Sequence, residues 1–219
     1  AHQLRTPLTA LKTQLALAQR NVEPAQAQVL LSAARQTTDD AVRLTEQLLA
    51  MTRVEHAREM HSPQRVDLVD LARRVTQEHL LRAHQSGDDL GLELQADSSD
   101  VQGVDLLLHE ALSNLIDNAM HHSSVGTHIT VRVGDRWLEV EDDGPGIPPD
   151  HIQRLLKPFE RFDVISINKK QIANNREGCG LGLAIVDKIT EAHNGKLVIS
   201  NRAKKGLEVK IILPLISES

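Results

Sequence analysis

Apolar residues in the first 50 positions recur in alternating steps of four and three, a spacing that restricts this segment to packed helices. The first series is Leu4, Leu8, Leu11, Leu15 and Ala18, and the second is Leu30, Ala34, Thr37, Ala41, Leu44, Leu48 and Met51. Pro24 lies between them and cannot donate a hydrogen bond inside a helix. The pattern therefore predicts an antiparallel hairpin of two helices, about 20 and about 30 residues long, joined near 21–24.

Each helix of this hairpin has one apolar face, and a single hairpin leaves part of that surface uncovered. Two copies would complete a four-helix bundle, so we expect a homodimer formed through residues 1–58. The alternative is a hairpin that packs on the rest of its own chain. The first series starts without a capping residue before it, which indicates a piece of a longer protein.

Composition narrows the class of protein. The net charge of −5 gives no reason to expect a nucleic-acid partner. No apolar run approaches the roughly 20 residues that cross a membrane. The single cysteine, Cys179, cannot form an internal disulfide, which is typical of a reducing compartment. Because only 1% of residues are aromatic, the core is expected to consist of aliphatic side chains.

The pattern changes after residues 55–64, a polar stretch that we interpret as a linker. Helices are predicted over about Leu68–His84, Asp105–His122 and Leu181–His193, and strands over Leu90–Leu94, Ile129–Val133, Trp137–Val140, Lys196–Ser200 and Leu207–Leu213. A hairpin turn is expected about Gly134-Asp135. Helices that alternate with hairpin-linked strands predict an α/β sandwich with a mixed sheet and helices on one face. We expect a helical domain over 1–60 and this second domain over 61–219.

Glu110, Asn114 and Asn118 are spaced by four and share one face of a predicted helix. One carboxylate and two amides are suitable oxygen ligands for Mg²⁺, which keeps several waters and phosphate oxygens. The alternative is a polar stripe that only faces solvent.

Asp142, Gly144 and Gly146 follow directly on a predicted strand, within the run 142–146. Asp142 would be held rigidly at the strand end, where its carboxylate can accept a hydrogen bond from the exocyclic amine of adenine. The two glycines permit a sharp turn and close approach of the backbone to a flat ring. The alternative is an ordinary surface turn, which this composition also favours.

A second glycine-rich run, 178–183, leads directly into a helix. Backbone N–H groups at such an entry can hold phosphates, although glycines there can also serve close packing. The preceding segment, 157–177, is long enough to be a lid over a bound ligand or a mobile loop. The candidate binding residues of these two segments are Phe159, Lys169, Lys170, Arg176, Gly178, Gly180, Leu181 and Gly182.

These motifs together resemble the transmitter core of bacterial sensor histidine kinases over nearly the whole chain. The run 2–8 is similar to the phosphoacceptor box, 114–118 to the N box, 142–146 to the first glycine box, 159–162 to the F box and 178–183 to the second glycine box. The acceptor box is most similar to that of tricarboxylate-transport sensors. The resemblance implies a dimerisation and phosphotransfer hairpin followed by a Bergerat-type (GHKL) ATP-binding domain.

The resemblance also implies roles. ATP would donate its γ-phosphoryl group to His2, and an aspartate of a response regulator would receive it. Asn118, assisted by Asn114, would bind Mg²⁺, and Asp142 would recognise adenine. Thr6 occupies the position that, in such kinases, positions water for dephosphorylating the regulator. The full-length protein would lie in the bacterial inner membrane, with this portion in the cytoplasm.

The chain differs from the usual family pattern at three residues and in the segment 163–176, which is unlike the standard lid patterns. Gln3 replaces the acidic residue that commonly follows the acceptor histidine, and an amide cannot act as a general base. His121 and His122 replace a common basic residue followed by tyrosine. Two alternatives therefore stay open: a nucleotide-binding scaffold that does not phosphorylate itself, and a GHKL-type ATPase without a phosphohistidine.

Overall fold

The computed structural model describes residues 62–122, 126–148 and 182–215, together with 9, 11–13, 16–17, 26, 28–35, 37–38, 41–42 and 45. The chain divides into two compact units, Ala1–Leu49 and Ala50–Ser219. The domain boundary that the sequence predicts at residues 60 and 61 lies outside the described residues and stays a prediction.

Every described residue of the first unit is α-helical. Within the second apolar series, Leu30, Ala34, Thr37 and Ala41 are buried or partly buried, whereas neighbouring Val29, Leu31, Thr38 and Val42 are exposed. The predicted heptad positions therefore form the covered face of this helical segment.

The second unit contains three helices and seven strands among its described residues. In chain order these are β1 (Gln64–Asp67), α1 (Leu68–Ser86), β2 (Asp89–Leu94), β3 (Asp100–Gly103), α2 (Asp105–His122), β4 (His128–Gly134), β5 (Trp137–Asp142), α3 (Gly182–Ala192), β6 (Lys196–Asn201) and β7 (Leu207–Ile212). Five strands form a sheet in the order β2-β4-β5-β7-β6, in which only the β2–β4 pair is parallel. The predicted α/β sandwich with a mixed sheet is confirmed.

The core of this unit is aliphatic, as the composition predicts. Along β4 and β5 the buried apolar residues alternate with polar or charged ones, so one face of the sheet packs under the helices. The largest fully buried side chains are Leu68, Leu71, Leu108, Leu112, Ile116, Ile129, Leu138, Ile185, Ile189, Ile211 and Leu213.

Two sequence predictions are wrong at the level of single elements. β1 and β3 pair as a separate two-stranded ribbon, and its first residue, Gln64, belongs to the predicted linker. The hairpin turns at Asp135 and Arg136, because Gly134 is already paired with Trp137. A Cβ atom on Gly134 would lie 2.3 Å from the Trp137 ring, so the glycine serves the close approach of that ring rather than the turn. Arg136 takes the left-handed conformation instead, with a φ of 60°.

Among the residues that the structure describes, no helix is both long enough and apolar enough to cross a lipid bilayer.

Candidate functional site

The structure describes about half of the predicted site residues. Glu110, Asn114, Asn118 and His121 lie on α2, with His122 as its last residue; Asp142 ends β5, Gly144 and Gly146 follow it, and Gly182 begins α3. Outside the described residues lie His2, Gln3, Thr6, Phe159, Lys169, Lys170, Arg176, Gly178, Gly180 and Leu181.

His193 fixes the relative direction of α2 and α3. Its Nδ1 donates to the Ile189 carbonyl oxygen at 2.7 Å, and its Nε2 accepts from the Val104 amide at 3.0 Å. Val104 directly precedes α2 and His193 directly follows α3, so the start of one helix meets the end of the other. Since the two helices also pack together, they run antiparallel. The start of α3 must then lie beside the C-terminal half of α2.

Helix geometry places the candidate residues at nearly the same level. Gly182 precedes His193 by 11 residues, and Leu115 follows Val104 by 11 residues. At about 1.5 Å per residue, we infer that Gly182 lies near the level of Leu115, between Asn114 and Asn118 along α2.

Asp142 lies at the same end of the unit. It pairs with Ile129 at the start of β4, the strand that follows α2. The polar residues of α2, the start of α3 and the glycine loop after β5, residues 143–147, therefore converge at one end of the sheet.

The polar face of α2 is organised by hydrogen bonds within the helix. Asn114 is 7% exposed as a residue, and its Nδ2 donates to the Glu110 carbonyl oxygen at 2.8 Å and to Glu110 Oε1 at 3.0 Å. Because the amide nitrogen is occupied, the carbonyl oxygen Oδ1 is the atom that Asn114 can offer to a ligand. Asn118 is partly exposed one turn further on.

The Asp142 carboxylate is nearly buried, with 9% of the residue exposed. Its Oδ1 accepts from the Gly144 amide at 2.7 Å and from the Leu207 amide at 3.4 Å. Burial raises the pKa of Asp142 above its ordinary value, and the two N–H groups act in the opposite direction. Since both amides bond to Oδ1, the second oxygen is the one placed to accept a hydrogen bond from a ligand.

The turn between β6 and β7, residues 202–206, contacts the backbone carbonyl group of Asp142, which the sequence motifs did not reveal. Arg202 donates to the Asp142 carbonyl oxygen at 3.0 Å and pairs with Glu141 at 3.1 Å. Gly206 has a φ of 109°, and a Cβ atom there would lie 1.8 Å from the Asp142 carbonyl oxygen. Only a glycine fits at position 206. In the sequence, a glycine that follows two lysines indicates a turn here but not the contact with Asp142.

Asp117, beside Asn118, ties α2 to α1 and was also missed. Arg82 of α1 forms an ion pair with its carboxylate, and His79 Nε2 lies 3.4 Å from the same oxygen. Burial lowers the pKa of His79, and the ring's Nδ1 donates to the Val75 carbonyl oxygen at 2.9 Å. Arg82 is therefore the cation that holds Asp117. His121 Nδ1 in turn donates to the Asp117 carbonyl oxygen at 2.7 Å, which orients that ring.

The start of α3 is suited to an anion. Gly182 is its first residue, and its first turn contains no acidic side chain. Unpaired backbone N–H groups and the helix dipole favour phosphate at such a position.

One group of acidic side chains lies on the other face of the sheet. Within the described ranges, Glu139, Glu141 and Glu208 bring carboxylate oxygens within 4.8 Å of one another. Glu139 and Glu141 are neutralised by Arg132, Lys210 and Arg202. Cations of the protein thus already occupy this cluster, and we interpret it as an ion-pair network of the sheet.

Comparison with known families agrees with this arrangement. Residues 103–217 match the family described as histidine kinase-, DNA gyrase B-, and HSP90-like ATPase. Residues 1–57 match the His Kinase A (phospho-acceptor) domain. The chain therefore belongs to the histidine kinase-, DNA gyrase B-, and HSP90-like ATPase family, and the predicted resemblance to sensor histidine kinases is confirmed. The finer likeness to tricarboxylate-transport sensors stays a prediction.

Individual relatives are sensor kinases. The sensor protein kinase PmrB of Pseudomonas aeruginosa is 34% identical over 221 residues, covering 98% of this chain and 44% of PmrB. The sensor protein QseC of Escherichia coli K12 is 32% identical over 212 residues, covering 96% of this chain and 45% of QseC. The solved structure of the Acinetobacter baumannii histidine kinase AdeS has a TM-score of 0.68 at 26% identity, covering 97% of this chain and 98% of that one. The chain spans somewhat less than half the length of PmrB and of QseC.

Proposed function

We propose that this chain is the kinase core of a two-component sensor, which phosphorylates His2 with ATP and passes the phosphoryl group to an aspartate of a response regulator. The observation that carries the proposal is the convergence of Asp142, the Asn114–Asn118 face of α2 and the start of α3 at one end of the sheet. A phosphoacceptor domain matched over 1–57 supplies the expected receiver of that phosphoryl group.

Adenine would bind at the glycine loop. The exocyclic amine donates to the Asp142 carboxyl oxygen that is not bonded to Gly144 and Leu207. The bare backbone at Gly144 and Gly146 lets the flat ring approach closely. The triphosphate would then extend from the end of β5 towards the start of α3, where Gly182 and the preceding glycines offer backbone N–H groups.

The α2 face fits Mg²⁺, since Asn114 presents only its amide oxygen and Asn118 lies on the same face. We assign Asn118 as the principal ligand and Asn114 as its assistant, with Glu110 holding the Asn114 side chain in place. The ion would neutralise charge on the phosphates during transfer.

Basic residues would supply the remaining neutralisation. His121 and His122 follow Asn118 by three and four positions and so share its side of α2. We assign them to phosphate contact, together with Lys169, Lys170 and Arg176. Phe159 would contact the nucleotide from the same segment.

In the transfer step, a ring nitrogen of His2 attacks the γ-phosphorus, and the bond from that phosphorus to the bridging oxygen breaks to release ADP. Gln3 can orient the ring through a hydrogen bond but cannot remove its proton, so solvent would take that proton. The aspartate of the regulator then displaces the imidazole from phosphorus. Thr6 would position water for the dephosphorylation of the regulator.

The first helical unit is proposed to form the homodimer, through residues 1–58. The described residues of its second heptad series, Leu30, Ala34, Thr37 and Ala41, are buried or partly buried, as the seam of a helical bundle requires. In line with the resemblance to sensor histidine kinases, we propose that the full-length protein lies in the bacterial inner membrane and that this kinase core faces the cytoplasm, where ATP is available.

A labelling experiment tests the proposal. The chain is incubated with Mg²⁺ and ATP labelled in either the α or the γ position, and labelled protein is treated with acid, with base, or with a panel of purified receiver domains. We expect label from γ-labelled ATP only, with loss in acid, retention in base and transfer to a receiver. Steady phosphate release without a phosphoprotein would indicate the ATPase alternative. Tight ATP binding without phosphate release or label would indicate the scaffold.

The raised pKa of Asp142 predicts a pH dependence of nucleotide selectivity. Because Oδ1 already accepts from two amides, a proton added to Asp142 would lie on the other oxygen and present a donor to the adenine amine. The preference for ATP over inosine triphosphate, which lacks that amine, should therefore shrink as pH falls. The shrinkage should begin at a higher pH than for an ordinary aspartate, because burial raises this pKa. Calorimetric titrations of both nucleotides between pH 8 and 5 measure it, and the titration of the phosphates cancels in the ratio. A preference that begins to shrink no earlier than an ordinary aspartate titrates would contradict the raised pKa of Asp142.

Asp142 should affect the stability of the fold in the opposite direction: lower pH reduces nucleotide selectivity but favours the folded state. The folded state holds the Asp142 proton more tightly than the unfolded state does. Its contribution therefore favours the folded form at low pH and is lost as pH rises through the raised pKa.

A further inference from the structure

Asn201, the last residue of β6, is bonded to the far end of the glycine loop. Its Oδ1 accepts from the Ile147 amide at 2.8 Å, and its Nδ2 donates to the Ile147 carbonyl oxygen at 2.6 Å. One side-chain amide therefore satisfies both backbone groups of a residue that lies 54 positions earlier in the chain. The two bonds resemble those between paired residues of neighbouring antiparallel strands, although Ile147 belongs to no strand.

The loop is shaped to receive this side chain. Gly146 has a φ of 71°, and a Cβ atom there would lie 2.7 Å from Asn201 Oδ1. A larger residue at 146 would collide with the amide that holds the neighbouring peptide. The glycine at this position therefore serves the contact with Asn201 as well as the left-handed backbone.

The glycine loop is thus bonded at both of its ends to one segment, residues 201–207, which runs from the end of β6 to the start of β7. Asp142, where the loop begins, accepts hydrogen bonds from Arg202 and Leu207, and Ile147, where it ends, is bonded to Asn201. Between these points, the described bonds include that of Gly144 to Asp142. Releasing the second point would let the loop sample conformations that do not fit an adenine ring.

We propose that Asn201 is a positioning residue for nucleotide binding, which acts on the adenine ring through the backbone of Gly146 and Ile147. The inference rests on the proposed function of the site. Asn201 does not itself contact the ligand in this scheme. It raises the fraction of molecules whose loop is ready to bind, and apparent affinity scales with that fraction.

The position of Asn201 predicts a change confined to binding. Its bonds lie at the adenine end of the site, whereas the reacting phosphate lies towards α2 and α3. Asn201→Ala should raise the KM for ATP about tenfold in His2 phosphorylation and change kcat less than twofold, since the bound complex is formed correctly once made. Lys204→Ala, an exposed change in the same connection, is the matched control and should leave both constants unchanged.

Hydrogen exchange without nucleotide gives a second reading in the full 219-residue chain. In Asn201→Ala, the amides of Asp143, Gly144, Gly146 and Ile147 should exchange at least about tenfold faster, while those of β5 and β7 keep the rates of the unmodified chain. Faster exchange throughout β5 and β7 would show a general structural role and overturn the inference. Unchanged KM and unchanged exchange in the loop would also overturn it, while leaving the proposed function intact. If the unmodified chain does not bind ATP, both proposals fail together.

Discussion

Replacing His2 with glutamine should abolish incorporation of the γ-phosphoryl group while leaving ATP affinity unchanged. Glutamine keeps a polar side chain of similar length but has no nucleophilic ring nitrogen, so no phosphoramidate can form. The nucleotide-binding residues belong to the second unit, 50–219, and the substitution alters none of them. The expected loss of label is complete within detection, more than about 1000-fold, since a missing nucleophile leaves no alternative route. Label is measured in neutral gels, and ATP binding by calorimetry.

His84→Gln is the matched control for this experiment. His84 is exposed in the last turn of α1, and its replacement removes one of the 11 histidines without touching the candidate site. This variant should retain full labelling. Equal label in His2→Gln and in the unmodified chain would refute the assignment of the acceptor.

Asp142→Asn should weaken ATP binding at least about 100-fold. The asparagine Oδ1 can still accept from the Gly144 and Leu207 amides, so the loop keeps its bonds. Its Nδ2 then replaces the second carboxylate oxygen and presents a donor to the adenine amine, which is also a donor. Losing a charge-assisted bond and leaving buried donors unpaired costs about 3–5 kcal/mol.

The same substitution should not destabilise the protein. Burial raises the pKa of Asp142, which shows that its charged form is disfavoured in the fold, and the amide removes that cost. The free energy of unfolding near pH 7 should therefore stay equal or increase, as measured by denaturant titration. Asp143→Asn, one residue further and partly exposed, serves as the control and should retain most ATP affinity. A large loss of stability in Asp142→Asn would mean that any loss of binding reflects unfolding.

The helices and strands that carry a periodic apolar pattern of their own could be predicted from the sequence. Alternating residues predict β4, β5 and β7, and periodic apolar residues predict α1 and α2, because one covered face is enough to define each element. The two-stranded ribbon of β1 and β3 could not be predicted, because it depends on pairing between distant segments. Gln64 pairs with Gly103 across a whole helix and strand, and neither short segment carries a periodic signal of its own.

The same distinction applies to the candidate site. Spacing of four suffices to align Asn114 and Asn118, and the position of Asp142 after a strand suffices to place its carboxylate. Sequence could not reveal that Asn201 and Gly206 hold the Asp142 loop, since contacts between distant segments depend on the strand order. Nor could it reveal that His193 sets α3 beside α2.

The most direct test of the central claim is to locate the phosphoryl group after reaction with ATP. Trypsin releases from this chain a fragment that ends at Arg5 and contains His2 but no serine, threonine or tyrosine. Mass spectrometry at neutral pH, with electron-transfer fragmentation, should find one added phosphoryl group on this fragment. It should be absent after acid treatment and strongly reduced in Asp142→Asn at an ATP concentration near the KM of the unmodified chain. A phosphoryl group on any other fragment, or on this one irrespective of Asp142, would contradict the account.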